Sequence, residues 1–504
     1  MQNRRNFLKL GAGAALGGLA ASFSATAAAS SCSKEIKWDE THDVVIIGSG
    51  FAGLSAAHNA KNQNLGSVLV LEKMQVIGGN SAINGGWFAV PRNPIQLAQG
   101  ITDDSPEELV KDQMISGRGM ASRPHLMRIA EHALESFEQC VANGVTFREG
   151  FNMQVGGHNK ARAVRTTYGT GGEITQNYYE TCVKQGVDFR KQAYVEDFIM
   201  DGTTVLGVKV RFNYQFPNAS SGQVKFIKAN KGVVIATGGF AQNMTLRNIF
   251  DPSLDPTYDC TNAKGATGEV TMTAMSHGAL AVHMNMIQSG HWGSPDEGGF
   301  GWSNALLSIT WHEGMVVSVL DGKRFMDERR DRKYCSERIS ANRYPDNSPA
   351  YPIAFFNYND HPDDDRVTRA LRDKMAWVMN SVEEMAERFN IDPKALQESI
   401  DLHNQHVAAR HDPLFGRKMD TARHLAPPFV VSRVWPKVHY CMGGLKTDTE
   451  GRVLASRDLS VMKNLYAIGE ATGGIHGETR LSSCACLEGL AMGIVVSKTI
   501  KADA

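Results

Sequence analysis

The stretch from Asp43 to Glu72 constrains this chain more than any other. Asp43-Val44-Val45-Ile46-Ile47 is a short apolar, β-branched run of the kind that forms a parallel strand buried on both faces. Gly48-Ser49-Gly50-Phe51-Ala52-Gly53 follows at once, and Leu54 to Asn62 has helical character. The three glycines do different things. Gly48 permits the tight turn, Gly50 lets the backbone approach a pyrophosphate, and Gly53 lets the helix pack on the strand. The free N–H groups and dipole at the helix start then face the phosphates. A second apolar run, Ser67 to Leu71, ends at Glu72. That carboxylate stands about twenty residues after the last glycine, where a ribose hydroxyl acceptor belongs. A glycine triplet alone is a weak signal. Strand, glycines, helix, strand and acid in this order predict a Rossmann-like α/β fold that binds a dinucleotide.

Two later segments choose between dinucleotides. Gly78-Gly79-Asn80-Ser81-Ala82-Ile83-Asn84-Gly85-Gly86 is a glycine-rich loop soon after Glu72, and Val233-Val234-Ile235-Ala236-Thr237-Gly238-Gly239-Phe240 is a late strand ending in a Gly-Gly turn. Singly, they read as a surface turn and a core strand with a glycine stop. Together, in this order, they resemble the segments that wrap FAD in flavin enzymes, and neither is expected of a nicotinamide-only site.

At 504 residues the chain is too long for one ordinary core, and two domains are expected. Lys+Arg and Asp+Glu both number 53, so no net charge draws the chain to nucleic acid or to an anionic membrane. Residues 1–29 read as a twin-arginine export signal: Asn3-Arg4-Arg5-Asn6-Phe7-Leu8-Lys9, an Ala/Gly-rich stretch, then small residues suited to signal peptidase. The expected destination is the periplasm, reached already folded around a cofactor, with no stable membrane insertion. A lipidated Cys32 is the minor alternative. None of the eight cysteines forms Cys-x-x-Cys or Cys-x-x-Cys-His, so no c-type haem, zinc or iron–sulfur site is recognisable, and no metal is expected. Disulfides stay possible in the periplasm.

From about Asp43 onward the sequence resembles the flavoprotein family of fumarate reductases and succinate dehydrogenases. The likeness is nearest to its soluble exported branch of fumarate, methacrylate or urocanate reductase type. Val438-His439-Tyr440-Cys441-Met442-Gly443-Gly444, Leu465-Tyr466-Ala467-Ile468-Gly469-Glu470, Gly474-Ile475-His476-Gly477-Glu478-Thr479-Arg480-Leu481 and Gly322-Lys323-Arg324-Phe325-Met326-Asp327-Glu328 each match a family motif. The resemblance implies an FAD-binding domain in two pieces, 40–263 and 436–504, with an α+β capping domain, 264–435, inserted between them. It implies non-covalent FAD, because covalent members use a His where this chain has Asn80-Ser81-Ala82. The cofactor contacts it implies are Gly48, Gly50, Ala52, Gly53, Glu72, Lys73, Gly79, Asn80, Ser81, Gly85, Gly86, Val195, Ala236, Thr237, Gly238, Glu269, Glu470, Ala485 and Cys486. It implies Arg332 as the proton donor and His439, Arg480, His291 and Gly86 as substrate contacts.

The family reaction reduces a carbon–carbon double bond conjugated to a carboxylate. Arg480 offers a planar bidentate fork for such a group, and His439 a directional donor. Taken alone, His439 could be a satisfied core histidine, and Arg332 lies in Glu328-Arg329-Arg330-Asp331-Arg332-Lys333, which reads as a solvated charge run. The family's Glu-x-x-Arg relay is lost: Ser308 and Trp311 occupy its positions, leaving Glu313 or His312 as substitutes. His291, which the family uses on fumarate's second carboxylate, is displaced by one in Gln288-Ser289-Gly290-His291-Trp292. Thr267-Gly268-Glu269-Val270 departs from Thr-Gly-Asp-Gly, and Ser482-Ser483-Cys484 replaces Gly-Gly-Asn. These departures point to a monocarboxylate or otherwise altered enoate, methacrylate-like or aryl-acrylate, ahead of fumarate within the unsaturated carboxylates that the resemblance implies. Electrons are expected from a separate periplasmic multihaem cytochrome c. The rival readings are a desaturating dehydrogenase of the ketosteroid type, which would want tyrosines as acid and base, and an electron-transfer flavoprotein subunit with no substrate.

Overall fold

The strand Glu40–Ile47 is the centre of a mainly parallel sheet. Its parallel members run in the spatial order Asp188–Arg190, Val68–Leu71, Glu40–Ile47, Gln223–Ile235, Val461–Ala467. The computed structural model describes residues 36–150 and 156–504, so the export signal and Cys32 lie outside the described residues. An unalternating apolar run needs cover on both faces, and it has it. Val44 and Ile46 pack with residues of the helices Phe51–Asn62 and Cys484–Asp503. Val45 and Ile47 pack on the other face with Val195, Phe198 and Val208 of the hairpin Ala193–Asp201/Thr204–Phe212.

Register brings the strand ends together. Ile47 pairs with Leu71 on one side and Ile235 on the other, and Ala467 pairs with Ile235. In open parallel sheets, ligands bind along that line of carboxyl ends. Gly48 sits there with φ +105°, and a Cβ on it would come within 2.4 Å of the Ala236 carbonyl oxygen. The helix Phe51–Asn62 leaves this edge and crosses Cys484–Asp503 at very short range. A Cβ on Gly493 would stand 2.4 Å from Ser55 Oγ and 2.6 Å from Ala56 N.

Segment 264–435 builds its own antiparallel sheet in the order Met315–Val317, Ile353–Asn357, Phe429–Arg433, Trp377–Met379. Met385, Leu396 and Ile400, from the helices Val382–Phe389 and Pro393–Ala409, cover one face. Leu307, Trp311, Cys335 and Ile339, from Ser303–Glu313 and Arg332–Ser340, cover the other. A short ladder, Ile287–Gly290 against Lys437–Cys441, ties this segment to the C-terminal piece, and Trp38–Ala504 packs as one compact unit. The fold is thus α/β, Rossmann-like, with an α+β insertion. All seven cysteines among the described residues are buried and free, so no disulfide links any of them. No helix among the described residues is long and apolar enough to cross a membrane.

Candidate active site

The strand ends carry a cradle that fits a dinucleotide. A cleft of about 460 Å³ is lined by Ile47, Gly48, Glu72, Val195, Thr237 and Glu269, among others. Glu72 Oε2 accepts from Ser49 Oγ (2.5 Å) and Ser49 N (3.2 Å), and Oε1 accepts from Met74 N (2.8 Å). A carboxylate has about four acceptor sites, which leaves one for a ribose hydroxyl. Lys73 Nζ donates to Thr267 Oγ1 (2.5 Å) and Glu269 Oε2 (3.0 Å), pinning the far wall. Thr237 Oγ1 is buried with no partner among the described residues, as a group awaiting a ligand would be.

The glycine loop closes over the helix start. Ser81 Oγ accepts from Phe51 N (2.9 Å), and Gly78 N donates to Ser49 Oγ (3.0 Å). Gly79 begins the short helix Gly79–Ile83, and Asn80 Oδ1 accepts from Ala263 N (2.7 Å). Gly85 O accepts from Arg165 Nε (3.0 Å). Gly86 N donates to Asn84 Oδ1 (2.8 Å) and its carbonyl accepts from Thr166 N (3.1 Å), so both its backbone groups are engaged inside the loop. Ala236 and Gly238 follow the strand Gln223–Ile235, and Ala52 lies in the first turn of the helix Phe51–Asn62. Ala485 and Cys486 open the C-terminal helix, with Cys486 Sγ 3.9 Å from Asn84 Oδ1. Glu470 Oε1 accepts from Cys441 N (2.9 Å); burial pushes this carboxyl up to about 7, against the opposing pull of that N–H, Arg480 and Asn80.

Beyond Glu470 two arginines and two histidines gather from four distant stretches. Arg480 is 4% exposed. Its Cζ stacks 4.5 Å from the centre of the Tyr440 ring, its Nη1 donates to Leu481 O (2.7 Å), and its Nε is buried with no partner among the described residues. Behind it, Tyr440 Oη and His476 Nε2 bond Glu488 Oε2 at 2.9 and 2.8 Å. Burial alone would raise the Glu488 carboxyl, but His476, Tyr440 and Thr472 hold it below its ordinary value.

Arg332 is the first residue of the helix Arg332–Ser340, which Asp331 caps through Lys333 N and Tyr334 N. Its neighbours in the charge run reach surface partners: Arg329 to Asp420, Lys333 to Glu337 and Glu478. Arg332 instead turns inward. Nη1 donates to Gln288 Oε1 (3.1 Å), Nη2 donates to Ser482 Oγ (2.7 Å), and Cζ lies 4.7 Å from the centre of the Trp292 ring. Burial, then the Arg480 cation, push this guanidinium down to about 9.

His439 Nδ1 lies 2.8 Å from Thr261 Oγ1. Burial, then Arg332 and Arg480, hold the ring well below its ordinary pKa, so it is neutral at pH 7. To donate from Nε2 it must accept the Thr261 hydroxyl proton at Nδ1. Burial and then Arg332 push His291 down to about 3. Its ring packs against Trp311 (4.9 Å) and Trp292 (5.2 Å), and the Trp292 edge meets His439 (5.2 Å, 82°). Neither Arg332 nor Arg480 has an ion-pair partner within 4.0 Å among the described residues.

The structure thus brings Arg332, Arg480, His439 and His291 together. It does not bring up the relay substitutes. Glu313 is bound by His361 (2.9 Å) and Arg423 (2.7 Å), and His312 Nδ1 bonds Ser308 O (2.8 Å). Trp311, at a former relay position, stacks on His291 instead of carrying charge. Sequence reasoning missed the roles of Gln288, Ser482, Thr261 and Trp292 beside these groups. Gln288 joins the two arginines, accepting from Arg332 and donating through Nε2 to Arg480 O (3.1 Å). Their signal was the departures around Gln288 and Ser482, which mark where the site differs from its relatives.

A cradle at the strand ends, opening beside two inward-facing arginines with no ion-pair partner among the described residues, defines a flavin-dependent oxidoreductase. The chain belongs to the FAD binding domain family, whose model matches residues 43–486. It is 40% identical over 498 residues to the acrylate reductase flavoprotein subunit of Shewanella woodyi, covering 98% of this chain and 97% of that one. It is 31% identical to a fumarate reductase (cytochrome) of Shewanella frigidimarina, over 88% of this chain and 74% of the relative. The fold matches a flavocytochrome c3 fumarate reductase with TM-score 0.76 at 24% identity, over 92% of this chain and 79% of that one. The cofactor is FAD.

Proposed function

We propose that the chain is the flavin subunit of a periplasmic reductase that saturates the double bond of a small unsaturated monocarboxylate, of acrylate or methacrylate kind. The observation that carries this is the pair of inward-facing guanidiniums, Arg332 and Arg480, set around a neutral His439 with no carboxylate among the described residues pairing with either. Two unpaired cations in a desolvated site are costly, and a carboxylate with hydrogen-bond acceptors in one plane is the group that relieves them.

Gly48–Gly53, Glu72, Asn80, Ser81, Thr237 and Glu470 would hold FAD non-covalently, and the reduced flavin would supply a hydride. The chain's residues do the rest. Arg480, steadied by the Tyr440 ring, and His439 fix the substrate carboxylate. Positioning of this kind is worth ~7–11 kcal/mol of barrier in good cases. Arg332 gives a proton to the alkene carbon that does not receive hydride. A guanidinium is a weak acid in water, and burial beside Arg480 makes this one stronger. The docked carboxylate partly reverses that gain, and the two guanidiniums stabilise the negative charge that develops on the substrate in the transition state.

A monocarboxylate is favoured because the far side of the site is apolar. His291 is neutral and lodged between Trp311 and Trp292, and Trp292 spans from Arg332 to His439. A second carboxylate would meet indole there rather than a cation. A separate c-type cytochrome is the donor that fits a chain with no haem motif whose relative is named a flavoprotein subunit. A steroid-type desaturase would need a free tyrosine, but the Tyr440 hydroxyl is committed to Glu488. The test is steady-state turnover of the holoenzyme with reduced viologen dye on acrylate, methacrylate, an aryl-acrylate and fumarate. The expected result is a kcat/KM for one of the monocarboxylates at least ~10-fold above that for fumarate. A preference for fumarate sinks the reading.

A further inference from the structure

Arg332 must regain a proton in every cycle, and the charged relay that would resupply it is absent. Among the described residues, two side chains hydrogen-bond to its guanidinium. Gln288 cannot serve: the atom it turns to Arg332 is its amide oxygen, which carries no proton, while its NH₂ faces Arg480 O. Ser482 can, because a hydroxyl accepts and donates at one atom. Its Oγ accepts from Nη2 at 2.7 Å, and the residue is half-buried rather than sealed in the core.

A buried network fixes where that hydroxyl stands. Ser482 O bonds His158 Nε2 at 2.8 Å. His158 Nδ1 lies 3.1 Å from Arg162 Nη1, and since a guanidinium can only donate, Nδ1 is the acceptor and Nε2 carries the proton. Arg162 is fully buried and gripped by Asp104 (2.8 and 2.7 Å) and Asp112 (2.6 Å). The next residue, Ser483, is turned into the left-handed region at φ 63° and starts the C-terminal helix. These contacts hold the backbone of one turn, and the side chain that the turn presents to Arg332 is Ser482.

We infer that Ser482 is a positioning and proton-relay residue: it holds Nη2 of Arg332 in place and returns the proton that Arg332 has given to the substrate. This rests on the proposed reductase reading. Each hop moves one proton and no electron. A C–H bond forms on the substrate as an N–H of Arg332 breaks; that N–H re-forms as the Ser482 O–H breaks; the O–H re-forms from a water molecule, which releases hydroxide to solvent.

The test compares the holoenzyme with Ser482→Ala and Ser482→Thr in viologen-driven reduction of acrylate, in H₂O and D₂O. Removing the hydroxyl should lower kcat ~10-fold or more, with KM and FAD content unchanged, and enlarge the solvent isotope effect on kcat. Ser482→Thr, which keeps a hydroxyl, should recover most of the rate. If Ser482→Ala loses its flavin, Ser482→Gly, which has no side chain to misfit, takes its place. An active wild-type enzyme matched within about twofold in kcat by the Ala or Gly variant overturns the inference alone. So does a loss of rate that Ser482→Thr fails to restore. A wild-type enzyme inactive on every unsaturated acid overturns both this inference and the reading beneath it.

Discussion

A guanidinium in water holds its proton too firmly to be a useful acid, and the placement of Arg332 changes that. Its neighbours along the chain reach surface carboxylates, while it points at Gln288, Ser482 and the Trp292 ring. Arg332→Ala should keep the yellow FAD and lower kcat by ~10²–10⁴-fold, as loss of a general acid does; flavin absorbance and viologen-linked turnover on the same sample check both halves. An electron carrier with no substrate would be indifferent to the change. Arg480→Ala acts earlier, on docking: kcat/KM for acrylate should fall ~10²-fold or more, because a desolvated bidentate partner is lost. Arg480 and His439 stand inside short motifs that the sequence shows, and Arg332 stands four residues after another, in what alone reads as a charge run. Ser482, Trp292 and Gln288 were visible only as mismatches. What they do depends on residues distant in sequence, 44 positions from Gln288 to Arg332 and 150 from Ser482 to Arg332, and no local pattern encodes that proximity.

At the scale of elements, the strand–glycine–helix unit was readable because one buried strand, a turn needing φ above zero and a helix start impose chemistry residue by residue. Close helix contact was less readable. Gly493 looks like an ordinary weak spot in a helix, yet the structure uses it to let Cys484–Asp503 meet Ser55 and Ala56. Gly493→Ala should therefore destabilise by ~1–3 kcal/mol through overpacking, rather than stabilise as a solvent-facing Gly→Ala in a helix would; thermal melting gives the sign. Glu328 shows the same limit. It reads as part of a charge run but is fully buried, bound by Arg324 (2.7 Å) and Arg417 (3.1 Å) at the base of the loop before Arg332. Burial alone would raise its carboxyl, but the two arginines bring it from 4.5 down to about 2. Because the folded value lies below the unfolded one, the stability it contributes is full above pH about 4.5 and is lost as pH falls through about 2. Glu328→Gln should cost ~3–5 kcal/mol near neutral pH, since it leaves Arg417 buried beside a neutral amide. It should also flatten the loss of denaturation midpoint across that acid window.

At the scale of the molecule, the FAD cradle is drawn from both ends of the chain: Gly48 to Gly86, the turn after Ile235, and Cys441 to Cys486. It exists only once the whole chain has folded. This bears on export. A chain threaded unfolded through a membrane would have to find FAD outside the cytoplasm, whereas the twin-arginine signal proposed at Arg4-Arg5 would use a route that carries folded cargo. The two-ended cradle and the proposed signal can be tested together. Changing both Arg4 and Arg5 to Lys should stop export and leave FAD-loaded protein in the cytoplasm, with its viologen-linked activity intact. Cell fractionation with flavin fluorescence on each fraction reads the outcome. Retained protein that is flavin-free would show that the cradle fills only after export. An unchanged periplasmic yield would show that Arg4 and Arg5 are not the signal.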